Sequence, residues 1–288
     1  MKKLLILSGK GGTGKTTTAG AFLRFSQAEA AADCDVDAPN LHMLLTAGKQ
    51  AEPVDFMGAD KAQIDPDQCI GCGKCEEHCR FHAIVPENGK CRVDEFACEG
   101  CGVCQLVCPE EAVRMVPDVA GQRYLFKENR VFSTAKLKMG RGNSGKLVTE
   151  VKKAMEQEAP DAKLAIIDGS PGIGCPVIAS VTGVDLVLIV AEPSLSGLSD
   201  LQRIARTALI LQVPVAVCVN KYDASPENAR AIEDFCRKQK IPFAGKVPYD
   251  PAASAAINAG RSIADTACPA REALYGVYRN VMQILEEL

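Results

Sequence analysis

The chain has 288 residues, 47% of them hydrophobic, with a formal net charge of -3 and a pI of about 5.8. That length suits one large α/β domain plus a small insert, and the charge supplies no global basic field to draw nucleic acid or an anionic membrane. No apolar stretch approaches the ~20 residues of a spanning helix, so the expectation is a cytoplasmic protein without a stable membrane anchor or a nucleic-acid partner.

Met1-Lys2-Lys3 followed by four apolar residues imitates the start of a signal peptide, but the run ends in glycines and reads as a first strand over residues 3–7. A glycine-rich loop follows, then a helix over about 15–27 and a short strand over 29–32 ending in Asp33-Cys34-Asp35. A cysteine-rich insert occupies residues 59–118, dividing a domain made of 1–58 and 119–288. Residues 124–137 read as a strand pair and 144–158 as an amphipathic helix. Near-continuous apolar strands over 163–167, 185–190, 214–219 and 241–245 then alternate with helices near 197–212, 226–239 and 270–287. Such runs suit strands buried on both faces. The fold class is therefore α/β, a mostly parallel central sheet flanked by helices, with a smaller inserted α+β domain.

The loop is Gly9-Lys10-Gly11-Gly12-Thr13-Gly14-Lys15-Thr16, with Thr17 behind it. It fits G-x-x-x-x-G-K-[ST] between a strand and a helix, the context that motif needs. Glycines let backbone N–H groups converge on phosphate oxygens, and the helix amino terminus adds a favourable dipole. Lys15 is placed to reach the β/γ phosphates and Thr16 to hold Mg²⁺. Lys10, near the start of the loop, has two readings: a solvated surface lysine, or a cation delivered to the phosphates of a second subunit.

Cys69, Cys72, Cys75 and Cys79 read C-x₂-C-x₂-C-x₃-C, and Cys98, Cys101, Cys104 and Cys108 repeat the spacing 29 residues later. This is the run of a two-cluster bacterial ferredoxin, whose fourth cysteine ligates the other cluster. One [4Fe–4S] cluster would take Cys69, Cys72, Cys75 and Cys108, the other Cys98, Cys101, Cys104 and Cys79. Two zinc sites are the rival reading, since C-x₂-C pairs also bind zinc. Pro109 after Cys108 fits the ferredoxin run, whereas Arg80 stands where the first run would carry proline. Cys34, Cys91, Cys175, Cys218, Cys236 and Cys268 are scattered and read mostly as core or surface thiols, Cys175 as the start of a helix.

The early lysine in K-G-G-T-G-K-T-T makes the loop resemble the deviant Walker A, or ParA/MinD/Mrp, P-loop ATPases, and the resemblance covers essentially the whole chain. It implies ATP, a homodimer formed on ATP binding, and Lys10 reaching across that dimer. Asp35 then matches the residue orienting the attacking water, with Asp37 and Asn40 supporting its loop. In Ile166-Ile167-Asp168-Gly169-Ser170-Pro171-Gly172, Asp168 matches the acid holding Mg²⁺ through water, and the Gly169 N–H would face the γ-phosphate. Asn220-Lys221-Tyr222-Asp223 reads literally as a guanine-binding N-K-x-D. The family reading keeps Asn220 as an adenine contact, puts Asp223 in a turn, and adds Pro248-Tyr249-Asp250 as a second base-contacting loop. Seven Lys or Arg and one Glu in residues 121–146 suit a solvated hairpin or a docking face.

Two functions follow as expectations. The first is a Mg-ATP-hydrolysing dimeric switch coupled to electron transfer through two [4Fe–4S] clusters, with a redox or client protein as partner, serving metallocofactor or iron–sulfur protein maturation. The second is an ATP-timed scaffold or positioning adaptor whose clusters are structural.

Overall fold

The protein is described by a computed structural model over residues 1–46 and 48–288. In chain order the elements begin with β1 (Lys2–Leu7), α1 (Lys15–Ser26), β2 (Ala30–Asp33), α2 (His42–Leu45) and β3 (Val54–Met57). The cysteine-rich stretch gives β4 (Lys61–Ile64), α3 (Lys74–Glu77), β5 (Ile84–Glu87), β6 (Lys90–Val93), α4 (Val103–Val107) and β7 (Val113–Val116). Then come β8 (Val119–Lys127), β9 (Val131–Leu137), α5 (Ser144–Glu158), β10 (Leu164–Asp168), α6 (Cys175–Val181), β11 (Leu186–Ala191) and α7 (Leu195–Ile210). The chain closes with β12 (Val215–Asn220), α8 (Pro226–Gln239), β13 (Phe243–Val247), α9 (Pro251–Asn258) and α10 (Pro269–Glu287). The sequence reading anticipates the start of α6 at Cys175 but gives neither its extent nor α9. Both are short helices with proline in the first turn, Pro176 in α6 and Pro251 in α9, and have too few turns to display a period of 3.6.

Two compact units emerge. The first comprises Met1–Pro53, Arg123–Lys136 and Ser144–Leu288, and the second Val54–Gln122 with Leu137–Asn143. The second unit thus takes in residues on both sides of the expected 59–118 insert. Arg141 helps explain why: its guanidinium pairs with Glu95 (2.5 Å) and Asp118 (3.1 Å) and lies over the Phe96 ring.

In the first unit the strand order is β13-β12-β11-β1-β10-β2-β9-β8. Every pairing from β13 to β9 is parallel. Residues 4–7, 30–33 and 186–191 are buried along their whole length, as expected of strands covered on both faces. α1 and α10 share one side of this core, with Phe22 edge-on to Tyr278 at 5.2 Å between ring centroids. Leu274, Val277, Val281 and Leu285 bury the apolar stripe of α10 in the same core. Among the described residues no helix is long and apolar enough to cross a membrane.

The second unit carries β3 beside the start of β8, and the repeat is written into its backbone. Shifting by 29 residues converts β4 into β6 and β5 into β7, and Gly71 and Gly73 into Gly100 and Gly102, all four glycines at positive φ. The halves interlock, because β4 pairs antiparallel with β7 and β5 with β6. β5 and β6 are joined by Asn88-Gly89, both left-handed, the dipeptide a type I′ hairpin turn favours.

Candidate functional site

β1 delivers the chain to the glycine loop, and α1 leaves it at Lys15. Gly12 (φ 79°) and Gly14 (φ 96°) adopt the left-handed conformation. A Cβ on Gly14 would fall 2.3 Å from Asn220 Nδ2, so the close approach of β12 also demands glycine there. Asn220 donates to the Thr13 carbonyl (2.7 Å), and Lys221 Nζ donates to the Gly12 carbonyl (3.0 Å). The loop is thereby fixed from behind before any ligand arrives. The Thr13 hydroxyl is buried without a partner within the protein, an unmet polar group inside the phosphate-binding loop.

Parallel register aligns the acids. Ile6 of β1 lies opposite Asp168 of β10, and Asp168 opposite Asp33 of β2. Lys15, the first residue of α1, projects into this row. Its Nζ is 2.5 Å from Asp168 Oδ1 and 3.8 Å from Asp35 Oδ2, while Thr16 Oγ1 donates to Asp168 Oδ2 at 2.6 Å. Burial opposes the Lys15 charge, but Asp168, Asp33 and Asp35 outweigh it and hold its pKa above the ordinary value. Burial and the neighbouring Asp168 raise Asp33 to about 7, Lys15 opposing. Asp35 is raised by burial in the same way.

The sequence reading missed Asp33 as a site residue. Its carboxylate accepts from the backbone N–H groups of Asp35 (3.1 Å), Asn40 (3.0 Å) and Leu41 (3.0 Å), so it shapes the loop that carries Asp35. That loop is tied to the segment after β10: Cys34 N–H donates to the Asp168 carbonyl (2.7 Å), and Ser170 Oγ donates to the Cys34 carbonyl. An aspartate ending an otherwise all-alanine buried strand was the available signal.

Two expected phosphate groups have protein partners. The Gly169 N–H, expected to face a γ-phosphate, donates to the Ile6 carbonyl (2.9 Å), which extends the β1–β10 pairing by one residue. Leu7 packs so closely that a Cβ on Gly169 would lie 2.3 Å from Leu7 Cδ2. Lys10 Nζ forms an ion pair with Glu192 at 2.5 Å, just past β11, a second acid the sequence reading did not single out. Beyond Thr17 a cavity of about 210 Å³ opens, lined by Asn220, Lys221, Pro248, Tyr249 and Asp250 among others. Asp223 accepts from the Tyr249 N–H (2.7 Å) and so stabilises that loop. Asp250, expected against a base, caps α9 by accepting from Ala252 N–H (2.9 Å) and also accepts from Ala270 N–H (3.3 Å). These hydrogen bonds hold its pKa below the usual carboxylate value.

In the second unit two cavities hold the cysteines. One is lined by Cys69, Cys72, Cys75 and Cys108 together with Cys91, the other by Cys79, Cys98, Cys101 and Cys104. The fourth cysteine of each run thus lies with the first three of the other. Equivalent hydrogen bonds recur in both halves: Ala83 N–H donates to Cys79 Sγ and Ala112 N–H to Cys108 Sγ, each at 3.3 Å. Among the described residues no group of three or more His, Cys, Asp or Glu converges as ligands of a single ion. A cubane takes one thiolate at each iron, so its four ligands ring a space, and the two cysteine-lined cavities fit that requirement.

The sequence matches the CobQ/CobB/MinD/ParA nucleotide binding domain family over residues 4–263. It is 34% identical over 222 residues to the uncharacterized protein MJ0578 of Methanocaldococcus jannaschii, covering 76% of this chain and 78% of that one. The fold is similar to that of the cell division ATPase MinD of Pyrococcus furiosus (TM-score 0.60, 17% identity, 98% of this chain and 99% of that chain). It is equally similar to the septum site-determining protein MinD complexed with Mg-ADP from Pyrococcus horikoshii OT3 (TM-score 0.60, 18% identity, 98% and 96%).

Proposed function

The chain belongs to the CobQ/CobB/MinD/ParA nucleotide-binding family, and on that footing we propose that it is a Mg-ATP-dependent ATPase acting as a timed positioning adaptor, whose nucleotide state sets its association with a second copy and with a client protein. The observation that carries this is the joining of a rigid glycine loop, a buried Lys15–Thr16–Asp168 cluster and the 210 Å³ cavity beyond them. The Mg-ADP bound by the similar Pyrococcus horikoshii protein supports the ligand.

Lys15 exchanges Asp168 for the β/γ phosphates, and the loop N–H groups bind the remaining oxygens. Thr16 Oγ1 would hold Mg²⁺ directly and Asp168 through water; the ion supplies neutralisation of charge on the phosphate oxygens. Asp35 orients the attacking water. Lys10, released from Glu192, serves the phosphates of the second copy. Asn220, Lys221, Pro248 and Tyr249 border the space for the base, and Asp250 fixes the helix below it. Equilibrium binding of a fluorescent ATP analogue, with GTP as competitor, tests this; no Mg-dependent binding, or a preference for GTP, overturns it.

A second reading is favoured by the crossed cysteine cavities. In it Cys69, Cys72, Cys75 and Cys108 hold one [4Fe–4S] cluster, and Cys98, Cys101, Cys104 and Cys79 the other. Such clusters, when bound, supply one-electron chemistry, and the output of the ATP cycle would then be redox. Anaerobic reconstitution followed by iron, sulfide and zinc analysis separates clusters from zinc. Paramagnetic resonance with and without a non-hydrolysable ATP analogue separates a redox role from a structural one.

A further inference from the structure

The internal repeat of the second unit supplies its own control, and its cavity-lining cysteines break it at one position. Position 91 on β6 corresponds to position 62 on β4, one repeat of 29 residues earlier. Both line a cysteine cavity: Ala62 the one with Cys98, Cys101, Cys104 and Cys79, and Cys91 the one with Cys69, Cys72, Cys75 and Cys108. The cavity that Cys91 lines, the first cavity, therefore presents five thiols, and the one that Ala62 lines, the second, presents four. A cubane uses four.

Cys91 is no surface thiol. It is only 9% exposed, beside Cys75 at 7%, within the same buried cluster. The two side chains line the same cavity. Pairing of β6 with β5 fixes the Cys91 backbone, with Cys91 opposite Pro86.

We propose that Cys91 is a reserve ligand of the first cavity, positioned to replace Cys75 on the group held there. This rests on the cluster reading given above. In the exchange the iron–Sγ bond to Cys75 breaks and one to Cys91 forms. The Cys91 proton passes to the released Cys75 thiolate. No electron is gained or lost, and the charge of the site is unchanged. The consequence is an inequality between halves of a near-symmetric unit: the first site tolerates loss of Cys75, while the second has no substitute for the equivalent Cys104.

The test is anaerobic reconstitution of the full chain with iron and sulfide, reading iron per chain and the paramagnetic resonance of the reduced protein. Wild type should carry about eight irons. Cys75→Ala should keep that complement, whereas Cys104→Ala and the double variant Cys75→Ala with Cys91→Ala should each lose part or all of one cluster. Equal losses in Cys75→Ala and Cys104→Ala, or a full complement in the double variant, would overturn the proposal. Should Cys75→Ala fail to fold, the transplant decides: Ala62→Cys added to Cys104→Ala should restore the lost iron, and absence of restoration refutes a reserve role. Cys91→Ala alone should remain fully loaded; a lost cluster there would make Cys91 an obligatory ligand instead. Wild type without iron and sulfide would sink the cluster reading itself, an outcome distinct from all of these.

Discussion

Among the described residues Lys15 is the one ammonium within 4 Å of both Asp168 and Asp35, so the same contact that neutralises buried acids competes with phosphate for the lysine. Removing it has two separable effects. Lys15→Ala should weaken ATP binding roughly 10- to 100-fold, the worth of one charge-assisted contact. It should also destabilise the nucleotide-free chain by about 3–5 kcal/mol, because Asp168 would stay buried without its counter-charge. Binding by calorimetry and urea denaturation read the two independently, and an unchanged midpoint would mean that Asp168 is neutralised otherwise. Asp33 gives a pH dependence. Its pKa rises from the ordinary carboxylate range to about 7 through burial and Asp168, so folding takes up a proton across that window. The group therefore favours the folded state below the window and costs stability as pH rises through it. Asp33→Asn keeps one carbonyl acceptor for the loop and cannot titrate. The stability of wild type relative to Asp33→Asn should fall between about pH 4 and 7 and level off above, and a flat difference would show that Asp33 is already ionised. None of this was legible at residue level: the loop motif names Lys15, but only parallel register reveals that Asp33 and Asp168 share its charge.

Helix α5 shows what an amphipathic pattern yields and what it hides. Its span over residues 144–158 follows from apolar spacing, and Leu147, Val148, Val151 and Met155 are buried as that spacing requires. Lys152 would be assigned to water by the same pattern, yet it is buried and donates to the carbonyls of Ala179 (3.0 Å), Ser180 (2.8 Å) and Thr182 (2.6 Å). Those carbonyls lie at the end of α6, where a helix leaves acceptors unpaired and favours a cation. Burial pulls the Lys152 pKa down, so the site holds its charge against a desolvation cost. Lys152→Met should fill similar volume while stranding these acceptors, at a cost of about 2–4 kcal/mol. Thermal unfolding would measure it, and a loss within about 0.5 kcal/mol would mean water replaces the ammonium. The parallel strands were legible because burial on both faces makes them continuously apolar. The four-residue strands β4 to β7 were not, since each is too short to display alternation, whereas the 29-residue cysteine repeat that organises them was plain.

At the scale of the whole molecule the decisive residue is Lys10, because its proposed target belongs to another copy of the chain. Within one chain it is paired with Glu192 and partly exposed, a contact that a phosphate on a facing subunit would have to displace. Lys10→Ala should leave ATP binding within a few-fold of wild type while lowering hydrolysis by roughly 10³-fold or more, the range of a cation supplied in trans. That loss alone does not distinguish a lysine acting on its own site from one acting on a neighbour's. Mixing does. Asp35→Ala lacks the group that orients water but keeps Lys10, and Lys10→Ala has the reverse defect. In a mixed dimer the Lys10→Ala subunit has its own Asp35 and receives Lys10 from its partner, so one of the two sites is complete. Turnover should therefore reappear on combining two variants that are each inactive, rising to about half of wild type per mixed dimer. It should require concentrations at which sedimentation detects the ATP-bound dimer. If the mixture stays as inactive as its components although mixed dimers form, Lys10 acts within its own chain, and the dependence of hydrolysis on a second copy falls with it.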